Sequence, residues 1–313
     1  MKNGNLVAIG GIYVDVNAPQ FPISETGLKP ETEIVGKDYI LELGGSAVNF
    51  ARMCAAMEIP TTFVGKVGSD YMGQLLAKLL PEARVEPSLI ESDEVQTNIS
   101  FNMVSNEGKS IMAVVGSANQ ALEADEVYER VLDQLNDSPY LFLGGCFKLK
   151  NLLPAYAKLV DDAKQTGTKV VIDHGRLNDG VTEDEKVIVR DITKEADIYL
   201  PSADEFMQLW EVESLEEGLR NFREQSNAII VLKDGANGAI TITSAGHIIR
   251  VPSFPVEAIH TVGAGDSFDA GFISAQYKGY DLEESIRFGC ATGALKVSST
   301  ELPTFQSVSA LVG

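Results

Sequence analysis

The stretch Thr261-Val262-Gly263-Ala264-Gly265-Asp266-Ser267-Phe268-Asp269-Ala270-Gly271 places a glycine-rich turn between a strand-like run, Ile248–Val251, and a helical run of small residues reaching to about Tyr277. Gly263 and Gly265, with Ala264 between them, leave backbone N–H groups unobstructed at a helix start, where the helix dipole also favours negative charge. Such a turn suits an anion that develops during phosphoryl transfer. Asp266 at the same helix start can accept the proton of an attacking hydroxyl. A turn whose aspartate merely caps a helix reads the same way, so the segment needs support from the rest of the chain.

Outward from this stretch, short apolar runs alternate with helix-period segments. Leu6–Ile9, Thr62–Val64, Tyr140–Leu143, Lys169–Ile172, Asp197–Leu200 and Ala228–Leu232 read as strands, and Leu152–Gln165 and Leu215–Glu224 as amphipathic helices. Continuously apolar strands separated by helices predict a mostly parallel sheet covered on both faces, a doubly wound α/β architecture. Ile34–Leu43 and Asn98–Val115 break the rhythm with alternating, β-branched residues and a turn at Asn106-Glu107-Gly108. They read as antiparallel strands of a small lid, drawn from about 12–43 and 95–116, on a single domain spanning 1–313.

Composition bounds the function. Hydrophobic residues make up 44% of the 313 and charged residues 22%, enough core to fold without disulfides or structural metals. The three cysteines, Cys54, Cys146 and Cys290, are scattered and form no CxxC, which favours a reduced, cytoplasmic setting. Leu6–Ile9 is too short for a signal segment, and no run approaches the ~20 apolar residues of a membrane helix. A formal net charge of −20 repels polyanions and argues against a nucleic-acid partner. The Glu123–Glu129 and Glu183–Glu185 regions read as solvated helix faces.

The opening stretch does not stand alone. Gly10-Gly11 precedes Asp15; Gly44-Gly45-Ser46-Ala47-Val48-Asn49 is followed by Val64-Gly65-Lys66-Val67-Gly68-Ser69-Asp70-Tyr71-Met72-Gly73; and Lys233-Asp234-Gly235-Ala236-Asn237-Gly238 follows a strand. In order and spacing these resemble the ribokinase-like, or PfkB, carbohydrate kinase family, whose C-terminal pattern is roughly D-T-x-G-A-G-D-x-F-x-A-G. The resemblance implies a ribokinase-like fold and an ATP- and magnesium-dependent transfer to a hydroxyl of a sugar or sugar acid. A nucleoside kinase of the same family, or a sugar or nucleotide sensor without turnover, is the alternative.

The resemblance also distributes roles. Asp266 becomes the base and Gly263, Ala264 and Gly265 the anion hole; Asp15, Gly44, Gly45 and Asn49 hold the acceptor; Ser202, Lys233, Gly235, Gly238 and Cys290 border the nucleotide; Glu205 supports magnesium through water. Asp15 follows a buried strand at the carboxyl end, where open α/β sheets place ligands, and Asn49 offers both donor and acceptor. Three positions depart from the pattern: Ser202 and Cys290 stand where Asn is usual, and His260 replaces the first Asp. An imidazole is not a hard-cation ligand, which counts against monovalent-cation activation and makes His260 structural. His174, in Asp173-His174-Gly175-Arg176, matches the family's Asp-x-Asn-x-Arg run only in part. No basic cluster is legible around Asn49, where Arg52 and Lys66 are the nearby cations. Lid edges that pair, as in family dimers, would make a homodimer.

Two decoys drop out. Gly108-Lys109-Ser110 ends like a Walker A loop, but Met103 stands where the first Gly is required. Gly263-Ala264-Gly265 begins like a dinucleotide fingerprint, but Phe268 takes the third Gly position.

Overall fold

The computed structural model describes residues 2–21, 33, 35–105, 110–178 and 180–313. The first half runs β1 (Leu6–Gly10), β2 (Tyr13–Ala18), β3 (Ile40–Gly44), α1 (Ser46–Ala56), β4 (Thr61–Gly68), α2 (Tyr71–Glu82) and β5 (Glu86–Ser92). Then come β6 (Ile99–Val104), β7 (Ser110–Val115), α3 (Ala124–Leu135), β8 (Tyr140–Gly144), α4 (Tyr156–Thr166), β9 (Lys169–Asp173) and α5 (Glu183–Glu195). The chain continues through β10 (Ile198–Tyr199), α6 (Ala203–Trp210), α7 (Leu215–Gln225), β11 (Ile229–Lys233), β12 (Ala239–Ile242) and β13 (Ile248–Val251). It closes with α8 (Ala264–Tyr277), α9 (Leu282–Ser298) and α10 (Phe305–Val312).

Among the described residues, nine strands make one sheet in the order β13-β12-β11-β10-β9-β8-β1-β4-β5. It is parallel from β5 through β11, and β12 and β13 add antiparallel at one edge. The continuous apolarity of β1 has a direct cause. Leu6 and Ala8 pack into the core under α1, α8 and α9, while Val7 and Ile9 pack into a second core under α3 to α7. A strand buried on both faces cannot alternate. The helices start where hydrogen-bonding side chains satisfy the first free amides: Thr182 with Glu185, Ser202 with Glu205 and Asp281 with Glu284 form capping boxes. Among the described residues no helix is long and apolar enough to cross a membrane.

The second sheet, β3-β2-β6-β7, is smaller. It differs from expectation in its centre: β2 and β6 run parallel, and only the outer pairs are antiparallel. β2 follows core strand β1 and β6 follows core strand β5, so both leave the core sheet and travel the same way, while β3 and β7 return. The buried Asn119 side chain acts as a strand partner at Ile12, between the sheets, accepting from its N–H at 3.0 Å and donating to its C=O at 3.1 Å. Ile34, the Asn106-Glu107-Gly108 turn and the Gly108-Lys109 decoy lie outside the described residues, and β3 begins at Ile40. Other boundaries also shift. β10 keeps two residues of the Asp197–Leu200 run, a 3-10 turn precedes α4, and β5, an edge strand carrying Pro87, has no counterpart in the periodicity reading.

Candidate functional site

The parallel strands deliver their chain ends to one rim. Asp173 closes β9, Lys233 closes β11 and Gly10 closes β1, beside the point where the strand order reverses between β1 and β8. Ligands of open α/β sheets sit at such a point. α1 and α8 start over this rim. Gly45 can begin α1 because it takes φ 108°, and a Cβ there would lie 2.2 Å from the Gly11 carbonyl oxygen. A Cβ on Gly44 would lie 2.1 Å from Asp15 Oδ1, so only glycine lets that carboxylate approach the backbone.

The two motifs meet. Asn49 Nδ2 on α1 donates to Asp266 Oδ2 on α8 at 3.0 Å, across 217 residues of sequence. Asp266 lies in the first turn of α8, whose N-cap is Gly263 at φ 77°. Ala264 N–H turns back to the Thr261 carbonyl at 3.3 Å, whereas Gly263, Gly265 and Asp266 N–H have no protein acceptor among the described residues. The carboxylate thus stands half-buried next to free amides. Loss of solvation pushes its pKa up to about 7, and the charge of Asp173 adds to this; Asn49, Lys233 and Ser46 oppose it.

Behind Asp266 lies an ion cluster that sequence reading missed. Lys233 Nζ donates to Asp173 Oδ2 at 2.9 Å and to both Asp269 oxygens at 2.9 and 3.0 Å. Asp269 is 0% exposed and Lys233 9%. Burial works against the ammonium, but the two carboxylates outweigh it and push its pKa up. Asp269 is held well above the usual carboxylate range by burial, and Asp173 below it, where Lys233 outweighs burial. Lys233, expected to border the nucleotide, has its charge paired with these carboxylates beneath Gly265, whose hypothetical Cβ would lie 3.5 Å from Nζ. The clue was a second aspartate one helical turn after Asp266, but its partner Lys233 is remote in sequence.

Other expectations sort by position. Asp15 on β2 pairs in register with Glu42 on β3 and Ser100 on β6. Burial and then Glu42 push its pKa up to about 6, against Ser100 and Arg52. Ser202 and Glu205 face each other as a capping box, with Glu205 Oε2 accepting from Ser202 Oγ at 2.7 Å. Gly235 begins a 3-10 turn, Gly235–Asn237, with open space around it, while Gly238 is fixed by packing: a Cβ would lie 2.0 Å from the Val251 oxygen. Cys290, expected to border the nucleotide, is a core residue, 4% exposed, its thiol pushed up to about 12 by burial. His260 Nε2 lies 3.1 Å from the Ser299 carbonyl and ties the motif's approach to the end of α9. His174 is buried, with Nδ1 3.1 Å from the Tyr199 hydroxyl. Lys66 is spent on Glu126 at 2.6 Å. A cavity of about 400 Å³ lined by Lys194, Asp197 and Arg223 opens before β10 and β11, at the other end of the strands from these residues.

A mostly parallel sheet between helices, a small side sheet, and a carboxylate beside free amides at a helix start together define a ribokinase-like α/β protein. A putative ribokinase II from E. coli in its apo form superposes with TM-score 0.86 at 20% identity, covering 99% of each chain. Arabidopsis thaliana ribokinase complexed with ribose and ATP gives 0.80 at 22%, covering 99% of this chain and 98% of that one. In sequence, the 5-dehydro-2-deoxygluconokinase of Bacillus subtilis (strain 168) is 26% identical over 99% of this chain and 96% of its own. The sequence model of the pfkB family carbohydrate kinases matches residues 3–306, and the chain belongs to that family.

Proposed function

We propose that the protein transfers the γ-phosphoryl group of ATP to a hydroxyl of a small sugar or sugar acid, with Asp266 as general base. The observation that carries this is the Asn49–Asp266 hydrogen bond, which fixes a carboxylate of raised pKa next to the free amides of Gly263 and Gly265. Asp266 removes the proton as the acceptor oxygen bonds to phosphorus, and the bond from phosphorus to the leaving ADP oxygen breaks. The Gly263 and Gly265 amides receive the charge spread over the transferred group, and Lys233 sits below them as a fixed cation. Family membership and relatives named 5-dehydro-2-deoxygluconokinase support the acceptor class.

ATP lies along the turn at Gly235 and Gly238 and across Gly263 in this reading, with Ser202 nearby, and the acceptor lies against Asp15, Gly44, Gly45 and Asn49. Glu205 is a half-buried carboxylate, and among the described residues no three His, Cys, Asp or Glu side chains form a metal-binding group. A lone hard-oxygen donor fits magnesium, which keeps its waters and phosphate oxygens. Glu205 would hold it through water, where it neutralises phosphate charge. The small sheet serves as a lid on one kinase domain and, through its exposed apolar residues Ile40 (55%), Met112 (59%) and Val114 (51%), as the contact of a homodimer. Three buried free cysteines suit a cytoplasmic setting, and the net charge of −20 disfavours nucleic acid.

An ATP-consumption screen over sugars, sugar acids and nucleosides tests the proposal. A sugar or sugar acid that drives ADP formation supports it. Ligands that shift the melting temperature while no acceptor consumes ATP would instead make the protein a sensor.

A further inference from the structure

Arg52 follows Asn49 by one turn of α1, and Lys296 lies near the end of α9. Sequence places them 244 residues apart (296 − 52), yet they share one region of the site. Lys296 Cε lies 3.6 Å from where a Gly263 Cβ would stand, with Asn49 Nδ2 3.9 Å from the same point. The basic cluster that the sequence did not reveal around Asn49 is therefore present, assembled from two helices.

Among the described residues neither cation is paired with a carboxylate at contact distance. Arg52 Nη1 donates to the Leu43 carbonyl at 3.2 Å, but its Nε is buried without an acceptor among the described residues. Neither residue has a carboxylate within 4.0 Å among the described residues, although the buried Lys66 and Lys233 both do. Burial lowers the pKa of Lys296, the charge of Arg52 lowers it further, and Glu42 opposes both without reversing them; for Arg52 burial likewise outweighs Glu42 and Asp15. Two partly desolvated like charges with a spare donor, and no carboxylate in contact among the described residues, gain from an anion that touches both. The acids of the same wall, Asp15 and Glu42, sit together on β2 and β3, where they repel each other in turn. Both acids also act on Arg52, and Glu42 on Lys296, so the wall carries carboxylates and cations side by side, with none of these carboxylates within 4.0 Å of either cation.

We propose that Arg52 and Lys296 form a subsite for an anionic substituent of the acceptor, a carboxylate or a phosphate, and that the protein selects acids over neutral sugars. The assignment rests on the kinase reading above and narrows its acceptor. Arg52 supplies a planar fork and Lys296 a point charge, the combination that grips a flat or tetrahedral anion.

The test uses the full chain and its Lys296→Met, Lys296→Arg, Arg52→Met and Arg52→Lys variants. The probes are 5-dehydro-2-deoxygluconate (carboxylate), fructose 6-phosphate (phosphate) and 2-deoxyglucose (neutral). Wild type should prefer one of the anions, which identifies the substituent. The ratio of kcat/KM for that anion to kcat/KM for the neutral sugar should fall about 30-fold or more in Lys296→Met. Lys296→Arg should restore most of it, and Arg52→Lys should retain more than Arg52→Met. Preference for the neutral sugar, or an equal loss on anion and neutral sugar, overturns the subsite. If no probe consumes ATP, the wider acceptor screen decides the kinase reading, and calorimetry with the same probes decides the subsite alone. Weaker binding of the anions to Lys296→Met than to wild type supports it, and equal or undetectable binding to both rejects it.

Discussion

The floor of the site and its roof handle polar groups in opposite ways. On the floor, at the carboxyl ends of β9 and β11 and in α8, Asp173, Lys233 and Asp269 are buried and joined by contacts of 2.9 and 3.0 Å. On the roof, Asp15, Asn17, Glu42, Ser100 and Asn102 form a ladder that is mostly less buried, linked by Asn17–Glu42 at 2.8 Å and Asn102–Asn17 at 3.0 Å, on a sheet that also leaves apolar residues in solvent. A group that must meet phosphorus at one geometry belongs on the rigid part, and groups that adapt to an acceptor belong on the part with less burial. Asp266 and Asp269 make the same contrast within α8: one half-buried and open to a ligand, the other enclosed with its counter-ion.

The comparison can be broken at its strongest point first. Asp266→Asn should lower kcat by roughly 10³-fold with modest loss of ATP binding, and a drop under tenfold would remove Asp266 as base. Lys233→Met should cost about 3–5 kcal/mol in urea unfolding, because it leaves two carboxylates buried without a cation; a loss below about 1 kcal/mol would mean that the cluster is hydrated. The pH profile sharpens the contrast. The acid limb of kcat/KM should fall near pH 7, where Asp266 deprotonates. The same raised pKa sets a stability sign: between the ordinary carboxylate range and about 7 the native state holds the extra proton, so stability from this group falls as pH rises through that window. Asp266→Asn should therefore melt higher than wild type at pH 8 and lose that advantage near pH 4. The smallest effect belongs to the roof. Val114→Asp should shift light scattering toward monomer while changing monomer stability by no more than about 0.5 kcal/mol.

The apolar strands were legible because parallel strands buried on both faces leave an unbroken hydrophobic run, as in β1 and β8. β5 was not, because an edge strand with Pro87 and Glu91 has no such run. Within the site, residues whose geometry depends on their own neighbours could be read: Gly263 at a helix start, Asp266 in the first turn, Gly44-Gly45 before α1. Residues defined by a distant partner could not. Lys233 looks like any lysine after a strand until Asp173 and Asp269 are seen around it, and Lys296 looks like a solvated helix residue until α9 brings it to Gly263. Local spacing carries backbone conformation, whereas charge pairing is a property of the folded arrangement.

The Asn49–Asp266 bond has a bearing on synthesis. A chain emerging from the ribosome completes β1, the small sheet and α1 long before α8 exists, so with the roles proposed above its early half would have a place for an acceptor and no group to activate it. On that reading, proteolytic nicking that released the last helices would take the carboxylate and the free amides away together, leaving Asn49 behind without the partner it holds.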